Sequence, residues 1–490
     1  MSDFPPRSSS MRLSSIGCLL AILVAVPAHA QWSGDPANNL VIADRSNEQV
    51  QPKIVPTGDG GFYISWFDNS TGGYDVYLQR LDAQGNEQFA HNGILVADRD
   101  FSSTQDYGLD IDADGNALIA YRLNDGNQIA QIVAQKIAPD GSLLWTPGGI
   151  VVSNDAGGAN SPKIASTGDG TVGVAWSGSD GSVVVQKLSG AGSVLWGPNG
   201  VSIIPPSGFF FLADLHGDTD GDLIASWGAQ LSTFDRELWA QKLAAADGSA
   251  LWGSDPVEVF SGTNGALQFG YFPPFTPDGA GGAVFVWYTV GSNEGDVRVQ
   301  HVMADGSQAF AQNGVLASTD ASQNHFEPSG AYDATTGDIY AVWRETDLMT
   351  QSQIGVYAQR IDSAGDRQWG DSGRVLVPLG STDQSQMRAL PRANGFLAAW
   401  VSNDSPSPMP VHVASINADG SYAFPGDIVD IKTAPTDTSR LIGAISTNGY
   451  AAYTWTDADA NFNGDIKAQN INLDGTLGVP DDTIFANGFE

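Results

Sequence analysis

The sequence predicts an all-β chain: an eight-bladed β-propeller of four-stranded antiparallel blades, with an N-terminal strand closing the last blade. Three observations predict it. An apolar strand ending in an aromatic residue recurs eight times, each copy sits in the same four-strand phrase, and the piece degraded in the last copy stands ahead of the first. The anchors are Trp66, Tyr121, Trp176, Trp227, Trp287, Trp343, Trp400 and Trp455, at spacings of 55, 55, 51, 60, 56, 57 and 55. Small twisted sheets repeated at this period close radially and leave only short edges. A β-helix needs shorter repeats, and separate sandwich domains need about a hundred residues each.

The first thirty residues combine Arg7 and Arg12, an apolar run from Ile16 to Val26 and the small-residue end Ala28-His29-Ala30, which reads as a secretory signal peptide cleaved after Ala30. The apolar run is too short to span a bilayer. Cys18, the only cysteine, lies near the start of that run and not at its end, which argues against a lipid anchor. Residues 31–480 form the expected single propeller and 481–490 a tail. Without residues 1–30 the chain keeps 20 of its 22 basic and 54 of its 55 acidic residues, a formal charge of −34. A field of that sign repels phosphate, so nucleic acid is excluded as a partner. The missing cysteine excludes disulfides, thiol nucleophiles and zinc-thiolate sites.

The first unit shows the phrase. A strand from Gln51 to Thr57 meets the turn Gly58-Asp59-Gly60-Gly61, and the anchor strand runs from Phe62 to Asp68. After a polar loop, Asp75 to Asp82 alternates and carries Gln79; a second turn then leads past Phe89 to Gly93–Ala97. Gln135, Gln186, Gln241, Gln300, Gln359 and Gln469 repeat Gln79, while Ala414 departs from it. Trp145, Trp196, Trp252, Phe310, Trp369 and Phe424 repeat Phe89. These residues are read as architecture, the aromatics filling wedges between blades and the glutamines bonding at the blade interface. Trp32 followed by Asn39–Asp44 repeats the fourth-strand phrase, so it is expected to complete the eighth blade.

The phrase resembles bacterial secreted repeat proteins whose units read Trp-x-Asp, then Asp-x-Tyr-x-Gln-Arg-Leu-Asp, then Gly-x-x-x-Trp. Here Trp66 and Asp68, Asp75, Tyr77, Gln79, Arg80, Leu81 and Asp82, then Gly85 with Phe89 for the Trp, carry the match. The resemblance implies a propeller and export and no particular activity. Ala245, Asp247, Gly248 and Trp252 are also similar to the docking phrase of eight-bladed quinoprotein dehydrogenases, but its Thr-Gly-Lys core is missing. The ending Ile484-Phe485-Ala486-Asn487-Gly488-Phe489-Glu490 resembles a terminal tag of exported Gram-negative proteins, which implies recognition by sorting or secretion machinery.

Both Gly-rich turns of each unit fall on one face, which leaves the longer connections on the other as the expected binding surface for a carbohydrate or protein ligand. Candidate ligand residues there are Phe209, Phe210, Phe211, Phe269, Tyr271, Phe272, His325 and Glu327. Exposed, the rings would stack on sugar faces or apolar side chains; buried, with Phe275, they would plug the channel. Two acidic runs have calcium-like alternation of hard oxygen ligands: Asp110, Asp112 and Asp114, and Asp457, Asp459, Asn461, Asn463 and Asp465. Asp218, Asp220 and Asp222 repeat the idea within a turn. No catalytic motif stands out, and the alternative to a binding protein is a polysaccharide-active enzyme using a carboxylate pair drawn from Glu327, Asp106 and Asp214.

Overall fold

The computed structural model describes residues 31–99, 104, 107–124, 127, 129–153, 157–232, 234–262, 265–291, 294–403, 408–459 and 463–480. The expected signal peptide and terminal tail lie outside these residues, as do Asp106 and Asn461. Among the described residues no helix is long and apolar enough to cross a membrane.

Eight antiparallel sheets follow one another around a ring. Blade one comprises Gln49–Pro56, Phe62–Asp68, Asp75–Leu81 and Ile94–Ala97, from the axis outward. The pattern repeats through blade seven, with Asp383–Arg392, Gly395–Asn403, Val411–Asn417 and Ile428–Lys432. Blade eight takes its inner three strands, Asp437–Ile445, Ala451–Ala458 and Gly464–Ile471, from the end of the chain and its outer strand, Leu40–Ala43, from the beginning. The predicted closure is therefore observed. Gln469 fastens it: its amide N–H donates to Ser33 O at 2.6 Å, and Asn39 donates to its Oε1 at 3.0 Å.

The core is divided into eight apolar wedges, each between neighbouring blades. The wedge between blades eight and one packs Trp32, Ile42, Phe62 and Trp66 on Tyr450 and Ala452. The anchor tryptophans Trp66, Trp227, Trp287 and Trp343 are fully buried, because a central strand turns alternate residues into the wedges on its two sides. The aromatics at the outer corners add a hydrogen bond across the seam. Trp145, Trp196, Trp252 and Trp369 donate their indole N–H to Gly190, Ala245, Ala304 and Ala418 of the next blade, at 3.0–3.2 Å.

The recurring glutamine differs from expectation in its place. It works mainly inside a blade, where the Gln79 amide donates to Ala90 O and its Oε1 accepts from the backbone of Arg80 and Phe89. Gln186, Gln241, Gln300 and Gln359 repeat this, so the residue staples the corner between the third and fourth strands. A buried amide there satisfies backbone groups that the corner removes from the ladder.

Blade five also differs. Its inner strand is split into Ala266–Leu267 and Phe275–Pro277, both paired to Ala283–Val290. Pro273 and Pro274 lack the N–H that a continuous ladder needs. The stretch Gln268–Pro274 stands opposite only Val286, Trp287 and Tyr288, so it leaves the sheet and carries Phe269, Tyr271 and Phe272 toward the mouth of the ring.

Candidate functional site

The inner strands define what lines the axis. In six blades their pairing to the second strand shifts register in a β-bulge. In five of these a non-glycine residue adopts the left-handed region: Gln51 (φ 56°), Ser161 (φ 53°), Glu327 (φ 51°), Gln386 (φ 57°) and Arg440 (φ 58°). Such backbone costs about 1–2 kcal/mol per residue and persists only where surrounding bonds enforce it. Neighbouring blades supply those bonds. Gln51 donates to Thr104 O at 3.1 Å; Gln386 donates to Thr438 O at 3.0 Å and accepts from Leu441 N at 2.8 Å. A bulge re-aims the side chains beside it, and here the residues it turns face the axis.

They enclose a well of about 700 Å³ that opens on the long-loop face. Lys53, Lys163, Arg388 and Arg440 line it together with Gln51, Ser161, Tyr271 and Phe272. Four of the chain's 22 basic residues thus meet in one cavity of a molecule with net charge −33. Lys53 Nζ lies 5.0 Å from the Tyr107 ring centre. Burial brings the Arg388 pKa down to about 10, Glu327 opposing and Arg440 adding to the shift, so Arg388 stays charged at neutral pH. Lys53, Lys163 and Arg388 each stand two residues after a bulge residue, a register that only the structure reveals.

The predicted aromatic cluster separates into three groups. Phe209, Phe269 and Phe272 are exposed, Phe211 and Tyr271 half-buried, and Phe210 and Phe275 buried. Ring centres of Phe209 and Phe211 are 6.4 Å apart, and those of Phe211 and Phe272 5.9 Å, which makes a continuous wall. Behind it a smaller niche of about 180 Å³ is lined by Phe211, Phe269, Phe272, Arg236 and Glu237. Gly270, Tyr271 and Phe272 belong to both cavities, so well and niche adjoin. Burial pushes the Glu237 carboxyl up to about 7, against the Trp239 indole that donates to it at 2.6 Å. Sequence reasoning missed Glu237, because nothing local marks it as enclosed.

The remaining predicted residues are dispersed. Glu327 is exposed on a blade-six bulge, 4.0 Å from Arg344. His325 turns away from the axis: it is buried beside Trp343 and Glu345, with Nδ1 3.1 Å from Gly295 O. Asp214 accepts from Phe275 N and pairs with His216 at 3.1 Å; although burial opposes it, that partner holds its carboxyl below the usual range. Asp110 accepts from Ser166 N and Oγ in the next blade. Asp112 and Asp218 face Lys136 and Lys242 at 2.6 Å, and Asp114 lies in the intervening turn. Asp457 is buried between Lys432 at 3.2 Å and Lys467 at 2.5 Å. Asp459 caps Asn463 N at 3.0 Å, and burial raises the Asp465 carboxyl. Among the described residues no group of three or more His, Cys, Asp or Glu is arranged to hold a metal ion.

No family model matches the sequence, and no curated protein matches it. Solved structures with a similar chain course include an α-L-arabinanase of Penicillium chrysogenum, at 12% identity over 90% of this chain and 99% of that one, with a TM-score of 0.42. The BP39L lectin of Burkholderia pseudomallei is 13% identical over 77% of this chain and 98% of its own, with a TM-score of 0.46. A PL25 ulvan lyase is 12% identical over 92% and 96%, with a TM-score of 0.42. Identities and scores at this level carry nothing about the site.

Proposed function

We propose that the protein is a non-catalytic binding propeller that takes a carbohydrate chain on its long-loop face, along the phenylalanine wall and into the axial well. The observation that supports this reading is the contiguous line of rings, Phe209, Phe211 and Phe272, at the mouth of an open cavity. Grouped apolar rings left in water mark a contact surface, and flat aromatic faces suit the C–H faces of sugar rings. A hydrolase would instead hold two carboxylates across the well. Of the acids named for that role, Asp214 is engaged with His216 and the blade-five backbone.

A glycan array read with wild type and Phe272→Ala tests the proposal. Loss of about tenfold in affinity, with an unchanged melting temperature, is expected for this exposed ring. An empty array and an empty protein pull-down, together with turnover on a polysaccharide panel, would reverse the reading in favour of an enzyme. Calcium at the 457–465 loop is a separate proposal: a melting temperature that does not move between excess calcium and chelator removes it.

A further inference from the structure

The charge of the well goes beyond its shape. Lys53, Lys163, Arg388 and Arg440 converge from blades one, three, seven and eight, and none of the described residues lining the cavity is a carboxylate. Among the described residues Glu327 acts on Arg388 and Asp214 on Lys163; with both set against the four cations, the cations remain in excess by two. A cluster of like charges in a confined space is unfavourable by itself, since Arg440 and Arg388 repel. It is retained at the one place where six bulged strands aim side chains inward.

We infer that the well selects an acidic glycan, a sugar chain carrying carboxylate or sulfate groups that the two arginines and two lysines receive while its rings lie along the phenylalanine wall. This rests on the reading of the well as a carbohydrate site. Guanidinium groups bind planar oxyanions in forked geometry, and lysines act as point charges beside them. The acidic exterior repels any long polyanion at a distance, whereas a chain segment inside the cavity meets the opposite sign within a Debye length. Local charge and not net charge therefore governs selection.

The experiment titrates wild type with oligogalacturonate and a sulfated oligogalactan, each beside its neutral twin, the methyl ester and the desulfated chain, and with oligoglutamate. An acid form at least about tenfold tighter than its twin is expected, with that advantage shrinking at high salt. The pair that shows it separates carboxylate from sulfate. Arg440→Gln, at an exposed side chain, should cost about tenfold toward the acid form and leave the neutral twin unchanged. Arg388→Gln repeats the test deeper in the well. Arg367→Gln makes the same charge change at the outer rim, where Arg367 faces exposed Asp371, and should alter nothing. Equal affinity for both twins overturns the charge inference and leaves a neutral-sugar site. Preference for oligoglutamate overturns the glycan. No binding by any probe overturns the carbohydrate reading together with the inference.

Discussion

The side chain of Glu345 shows how much one buried group can bias the fold. It is fully enclosed, accepts the Trp343 indole N–H at 2.6 Å and lies 3.5 Å from His325 Nε2. Burial pushes its pKa up to about 8 and moves that of His325 down, so both are neutral around pH 7. The unfolded chain releases the glutamic proton near 4.5 and the folded chain near 8, so between those values the folded state binds more protons and stability falls as pH rises. Glu345→Gln removes this titration. Its stability relative to wild type should improve from pH 5 to pH 8 by on the order of 1–3 kcal/mol in urea midpoints, and an identical difference at both pH values would count against the account. Part of this was readable: Trp343-x-Glu345 and Trp455-x-Asp457 put acid and indole on one strand face by period two. The lysines that neutralise Asp457 were not, because Lys432 reaches it from the outer strand of the preceding blade, a contact that local spacing does not encode.

Among elements, the second and third strands run through the blade centres and are buried on both faces, so they do not show the alternation expected of them, while the inner strands depart from regular pairing where the site forms. Turn residues such as Gly58-Asp59-Gly60-Gly61 announced the hairpins, and Pro273-Pro274 marked a break that the regular phrase obscured. The bulges were illegible because nothing in Gln386-Met387 or Arg440-Leu441 demands positive φ; bonds from the adjacent blade impose it. Gln386 is the clearest case, since its amide closes the gap between the inner strands of blades seven and eight in both directions. Gln386→Ala strands Thr438 O and Leu441 N, which should cost about 1–3 kcal/mol. A denaturant midpoint unchanged from wild type would show that the left-handed backbone at this bulge is held by something else. Weaker ligand binding should accompany the loss, because Arg388 and Arg440 flank this clasp.

At the scale of the whole molecule, blade number and closure were legible because an eightfold repeat averages out local noise, whereas the sign of the charge inside the ring was hidden beneath a net charge of −33. Closure itself rests on noncovalent contacts. Leu40–Ala43 pairs with Gly464–Ile471, Trp32 packs edge-on against Phe62 and Tyr450, and its indole donates to Ala83 O at 3.2 Å. No covalent link backs them, since the only cysteine lies at position 18. A chain beginning at Arg45 would leave blade eight with three strands and expose the edge of Gly464–Ile471, a template for pairing with another molecule. It should melt well below the full chain and self-associate, and a peptide covering residues 31–44 added in trans should reverse both effects. Trp32→Ala, which keeps the strand and removes only the wedge, should lower stability by about 3–5 kcal/mol. Equal melting temperatures for the full and shortened chains would mean that the ring is held by its seven other seams, and that the borrowed strand only covers an edge.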